Sequence, residues 1–179
     1  MGVEISEDLG GLSIVKYPDP VLRKVCAEVA EFSDGLGRLA ERMLELMRQA
    51  QGIGLAAPQV GFPVRMFVYN VTGEEGDDGV WVNPKVVEGE GAEVADEGCL
   101  SLPQVLVPKR RAVRVVVEGF GLDGSGRRME AEGLLARVWQ HEADHLDGVL
   151  IIDAMPESAE LANRRILRQL EEDFAAAKR

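Results

Sequence analysis

Between Phe32 and Gly52 the chain reads FSDGLGRLAERMLELMRQAQG, with apolar residues at Leu36, Leu39, Met43, Leu46, Met47 and Ala50. Spacings of three and four put these residues on one helix face. Ser33 or Asp34 can cap the helix and Gly52 can stop it. VRMFVYN (64–70), VWVNPKVV (80–87) and AVRVVVEGFG (112–121) are rich in β-branched and aromatic residues and predict strands, separated by the polar turn GEEGDDG and followed by LDGSG. GLLARVWQHEADHLDG (133–148) predicts a helix that ends at Gly148. A long amphipathic helix is predicted over 157–179, its apolar stripe made of Leu161, Ile166, Leu167, Leu170 and Phe174. Residues 1–12 are Gly-rich and acidic and predict a loose extension. Strands followed by helices, without βα alternation, predict one α+β domain over 1–179 with antiparallel or mixed sheets.

Composition narrows the function classes. The 179 residues are 46% hydrophobic and 28% charged, as in globular proteins, and the net charge is −11. That acidity argues against a DNA-binding surface. The local basic run KRRAVR (109–114) reads as a solvated strand or loop. No apolar run approaches the ~20 residues of a membrane span. Two cysteines, Cys26 and Cys99, make no disulfide framework, and a reducing cytoplasm is the default.

The only two histidines stand in one pattern, H-E-x-x-H, at His141 and His145. On a helix these share a face and can grip one ion, with Glu142 placed to act on water beside it. A third ligand is needed. Downstream carboxylates exist at Asp153 and Glu157, while upstream DEGCLSLP (96–103) offers Cys99, whose thiolate suits Zn²⁺ or Fe²⁺. Cys26, in RKVCAEV, reads as a small buried hydrophobe. GIGLAAPQVG (52–61) is too Gly-rich for an ordinary helix; glycine permits close approach of backbone to a ligand, and Gln59 offers a neutral amide donor for an oxyanion.

GIGLAAPQ, EGCLS and QHEADH, in that order and roughly 40 residues apart, resemble the three signature motifs of the peptide deformylases. The likeness runs from about Leu12 to Met155 and includes DPVLRKVCAEV and LDGVLIID. It implies an α+β fold around a central metal-binding helix, and hydrolysis of the formyl group from N-formylmethionine at the start of nascent polypeptides. Carried over, Cys99, His141 and His145 hold one divalent ion, commonly Fe²⁺, with Zn²⁺, Ni²⁺ or Co²⁺ able to replace it. Glu142 moves the proton, and Gln59 and the Leu100 backbone N–H hold the oxyanion. The peptide lies along Gly52, Ile53 and Gly54, with Val138, Ile53 and Leu100 towards the methionine side chain and Arg137 at the rim. Some members of the family contact the ribosome through a basic C-terminal helix, and here the tail carries Arg164, Arg165, Arg168, Lys178 and Arg179.

Two departures stand out. LPQVLVPK (102–109) is shorter than the usual stretch after the cysteine motif. Lys109 also stands where the family often has an Arg paired with acidic residues behind the metal; Arg110 or Arg111 can substitute, or the pairing with Glu97 and Asp144 is looser. Two rivals share the metal helix: another metallo-amidase or peptidase, and a metal-stabilised binding module. A structural site closes with four protein ligands, whereas three good ones are found here.

Overall fold

A computed structural model describes residues 9–178. Of the extension expected over 1–12, residues 1–8 lie outside the described part. Leu9 is buried, and Leu12 packs against the nearest core.

Two sheets carry the fold, and every ladder within them is antiparallel. The larger sheet runs β1-β2-β3-β6-β7, with β1 Gly54–Ala56, β2 Met66–Tyr69, β3 Gly79–Glu90, β6 Arg114–Phe120 and β7 Gly126–Glu132. The smaller is a hairpin of β4 Glu93–Cys99 and β5 Leu102–Arg111. The alternation of side chains along β2 explains why it is buried on both faces. Met66 and Val68 pack with Leu36, Leu39, Met43 and Met47 of α1 (Asp34–Gln49). Phe67, between them, points the other way, to Trp81, Val115, Val117 and the residues Ala136, Trp139 and Leu146 of α2 (Gly133–Leu146). Helix α2 is pinned there by Trp139, whose ring meets Trp81 edge-on at 5.4 Å and Tyr69 at 5.5 Å. A third core joins Leu102, Val105 and Val107 of β5 to Leu22, Leu150 and Ile151. Helix α3, Glu157–Ala177, closes it with Ile166, Leu167 and Leu170.

Several sequence expectations change. Ala50 is exposed and follows α1 as its C-cap, and the chain turns at Gln51, a non-glycine residue at φ 56°, so Gly52 is not the helix stop. Ser33 takes the N-cap position without a side-chain cap bond. Leu161 does not belong to the buried stripe of α3: it is 64% exposed, and Ala159 and Asn163 face inward instead. Asn163 is tolerated there because its Nδ2 donates to the Leu106 and Ala159 carbonyls. The stretch after Gln51, too Gly-rich for an ordinary helix, contains β1 and a 3-10 turn, Ala57–Val60.

Candidate metal centre

The three signature segments meet at the C-terminal half of α2. His141 and His145, one turn apart, point to the β4–β5 hairpin, where Cys99 ends β4. One donor atom from each of Cys99, His141 and His145 lies within 4.8 Å of the others, and Cys99 Sγ is 3.2 Å from His145 Nε2. A thiolate and two imidazoles at this spacing suit a divalent ion such as Zn²⁺ or Fe²⁺. Burial works against a charge on His141, yet hydrogen bonds with Cys99 and Glu97 and the charge of Glu142 outweigh it and hold its pKa well above the usual value. His145 goes the other way: burial and the positive charges of His141 and Arg111 hold its pKa well below the usual value, which keeps it the neutral imidazole a metal needs. Asp153 and Glu157, the downstream alternatives, are not in this cluster.

Behind the donors stands Glu97, 5% exposed. Its Oε2 is 3.1 Å from His141 Nδ1, which leaves His141 Nε2 for the ion. Arg111 answers the question raised by Lys109: its Nε and Nη2 donate to the two Glu97 oxygens at 2.9 Å each, and its Nη1 donates to Asp144 Oδ2 at 2.6 Å. The fork geometry only arginine offers is thus retained, two positions downstream. Lys109 instead donates to the Asp153 carbonyl. Burial pushes Glu97 towards the neutral form, but hydrogen bonds from Arg111 and His141 win and hold it well below the carboxylate range.

A cavity of 630 Å³ opens beside these groups, lined by Gly52, Ile53, Gly54, Gln59, Cys99, Leu100, Arg137, Val138, His141 and Glu142 among others. Every residue predicted from sequence to touch substrate or ion therefore lines it, except His145, which lies behind at 1% exposure. The glycines of GIGL have a steric reason. A Cβ at Gly52 would stand 2.6 Å from Leu100 Cδ1, and one at Gly54 would run into the Glu142 carboxyl and Val138. Arg137 sits at the wall with its charge already answered by Glu97 Oε1 at 2.9 Å and by the Lys109 and Glu93 carbonyls at 3.1 Å.

Glu142 is 3% exposed, and among the described residues its Oε2 has no hydrogen-bond partner. Burial pushes its pKa up to about 7. Gln59 is 1% exposed, and its amide is oriented by three contacts: Oε1 accepts from the Ala56 N–H at 2.8 Å, and Nε2 lies 3.2 Å from Ser101 Oγ and 3.5 Å from Cys99 Sγ. The sequence reading missed Ser101 as the anchor of Gln59, although both lie in signature segments.

The family model for polypeptide deformylase matches residues 12–160. The peptide deformylase of Acidobacterium capsulatum is 47% identical over 141 residues, 78% of this chain and 83% of that protein. That of Alkalilimnicola ehrlichii is 46% identical over 162 residues, 89% of each. Among solved structures, peptide deformylase from Thermus thermophilus superposes with a TM-score of 0.84 at 44% identity, covering 89% of this chain and 97% of that one. A plant peptide deformylase reaches 0.91 at 35% identity, covering 98% and 95%. A clustered Cys/His/His donor set beside a buried glutamate, the match of the family model to residues 12–160 and a fold shared with these enzymes over most of its length place the chain in the polypeptide deformylase family.

Proposed function

We infer that the chain hydrolyses the formyl amide of N-formylmethionyl polypeptides, releasing formate and a free amino terminus, with the cavity residues in the following roles. The observation that carries this reading is Glu142: a buried carboxyl whose Oε2 has no partner among the described residues, poised near neutrality and opening on the same cavity as the metal donors.

Cys99, His141 and His145 hold the ion, for which we propose Fe²⁺, with Zn²⁺, Ni²⁺ or Co²⁺ as substitutes. A divalent ion there supplies Lewis acidity and makes water acidic near pH 7. Glu142 takes a proton from the attacking water and returns it to the leaving amine; a group with pKa near the working pH does both well. The oxyanion is held by the Gln59 amide and the Leu100 backbone N–H, and one such donor contributes ~3 kcal/mol to lowering the barrier. β1 is an edge strand of its sheet; the Gly52 N–H donates to the Met47 carbonyl and the Ile53 carbonyl accepts from the Asn70 N–H, which leaves the outward backbone groups at Gly54 to pair with an extended peptide. Ile53, Leu100 and Val138 line the apolar space for the methionine side chain. Arg137 contributes its aliphatic stem to the rim, its charge being satisfied by Glu97.

The reading places the protein in the cytoplasm, where formylated chains emerge. None of its described helices is long and apolar enough to cross a membrane. On α3, Arg164 and Arg165 are exposed and Arg168 pairs with Glu172, and this outer face is the proposed ribosome contact; Arg179 lies outside the described residues. Phosphate contacts make binding fall steeply with salt, so a triple Ala variant at Arg164, Arg165 and Arg168 should lose the low-salt ribosome co-sedimentation of the intact protein. Equal, salt-insensitive sedimentation of both would reduce the tail to a structural role. For the reaction itself, formate release from formyl-Met-Ala-Ser should require metal: rapid with Fe²⁺ under anaerobic conditions, abolished by chelation. Metal-independent turnover would refute the assignment.

A further inference from the structure

Outside the three signature segments, residues 15–17 hold an unusual position. Cys99 pairs with Leu102, so Leu100 and Ser101 form the two-residue turn between β4 and β5. Carbonyls at such a turn have no ladder partner and must find donors elsewhere. The same short segment supplies them for both. Lys16 Nζ donates to the Leu100 carbonyl at 2.5 Å, and the Tyr17 N–H donates to the Ser101 carbonyl at 2.9 Å. The Val15 N–H donates to the Gln59 carbonyl at 2.8 Å. Three consecutive residues thus tie the turn bearing Leu100 to the turn bearing Gln59, the two groups that hold the oxyanion. Lys16 also lines the cavity.

We propose that Lys16 is a positioning residue for the reaction: it fixes the Leu100–Ser101 turn against the Gln59 turn, so that the Leu100 N–H and the Gln59 amide converge on one oxygen. The proposal rests on the oxyanion role given above to those two donors. The side chain is exposed, and its bond therefore contributes little to overall stability. Its effect falls on geometry in the transition state, because the oxyanion exists only there. Loss of one oxyanion donor costs roughly 100- to 1000-fold in kcat, and misaligning one costs part of that. The bond is to the Leu100 carbonyl and not to its side chain, so the apolar contact of Leu100 with the methionine space is expected to persist and the loss to fall on kcat.

The test compares metallated wild type, Lys16→Met and Lys16→Arg on formyl-Met-Ala-Ser, with kcat, KM, metal content and melting temperature measured on each sample. Lys16→Met keeps the length and removes the donors; roughly a ten-fold loss of kcat is expected, with KM within two-fold, full metal and an unchanged melting temperature. Lys16→Arg restores a donor and should recover most of the loss. Wild-type kcat in Lys16→Met would overturn the proposal. So would a loss lying in KM, a loss that vanishes when rates are divided by bound metal, or an Arg variant as slow as the Met one. If the wild-type protein itself releases no formate, the functional reading fails instead, and the two failures are distinct.

Discussion

A carboxyl buried to 3% exposure with an oxygen unpartnered among the described residues is costly, and that cost fits the proton-transfer role proposed for Glu142. Glu142→Gln preserves size and removes the proton acceptor. It should keep full metal content and lose at least ~100-fold in kcat; wild-type turnover in the metallated variant would remove Glu142 from the reaction. The two cysteines separate just as sharply. Cys26 is 5% exposed, and burial pushes its thiol up to about 11, so it packs as a small hydrophobe. Cys26→Ser should cost ~1 kcal/mol of stability and leave metal binding intact. Cys99→Ser removes the soft ligand and should weaken metal binding by more than the ~10- to 100-fold that disturbing an outer partner costs. Equal metal occupancy in the two variants would contradict Cys99 as ligand. At this scale the sequence was informative where spacing is local: His141 and His145 lie one turn apart, and helical geometry alone brings them together. Lys16 carried no such signal, because its role depends on a turn 84 residues away.

The metal helix and the hairpin are fastened through Glu97 of β4, Arg111 of β5 and His141 and Asp144 of α2. Removing one partner of a buried pair leaves an uncompensated charge, so Glu97→Gln should lower stability by about 3–5 kcal/mol at pH 7, or roughly 10 °C in melting temperature. The sign of the pH dependence follows from the depressed pKa of Glu97. The unfolded state takes up the proton first, so the ion pair's contribution is complete above the ordinary value of 4.5 and is lost as pH falls below it. The gap between wild type and Glu97→Gln should therefore be widest near neutrality and narrow in acid, read by thermal melts across that range; a constant gap would deny Glu97 its charge in the folded state. Elements with a regular apolar period, α1 and α2, were legible in the sequence. β4 was not, because EVADEGC buries Glu97 by ion pairing and hydrogen bonding rather than by apolar alternation. β7, GRRMEAE, was missed for the opposite reason: Arg128 answers Glu118, and Glu130 answers Arg114, across an exposed face. Leu161 misled because a helical period admits neighbours on both sides of a stripe, and the polar Asn163 holds the inward place.

Taken whole, the molecule is a sheet with α1 on one face and α2 on the other, and a hairpin that closes over α2 to complete the ion's donor set. Three donors leave one side open to the 630 Å³ cavity, the arrangement of a catalytic rather than a structural metal. A peptide-like hydroxamate can chelate that open side with two oxygens. At a hundred times its Kd it should stabilise the metallated protein by ~2.7 kcal/mol, a rise of roughly 5–10 °C in melting temperature, and leave the metal-free protein unmoved. An equal rise without metal would place the inhibitor elsewhere. The α+β class was legible in strands followed by helices, but the site was legible only through the three ordered motifs, since the meeting of Gln59, Cys99 and His141 spans long stretches of chain whose local patterns do not announce it. The site proposed here is selective for a formyl amide over peptide bonds at large. That selectivity is tested most directly by one metallated sample given formyl-Met-Ala-Ser and, separately, unformylated Met-Ala-Ser. Rapid formate release from the first and no cleavage of the second are expected; comparable hydrolysis of the unformylated peptide, with no formate from its partner, would overturn that selectivity.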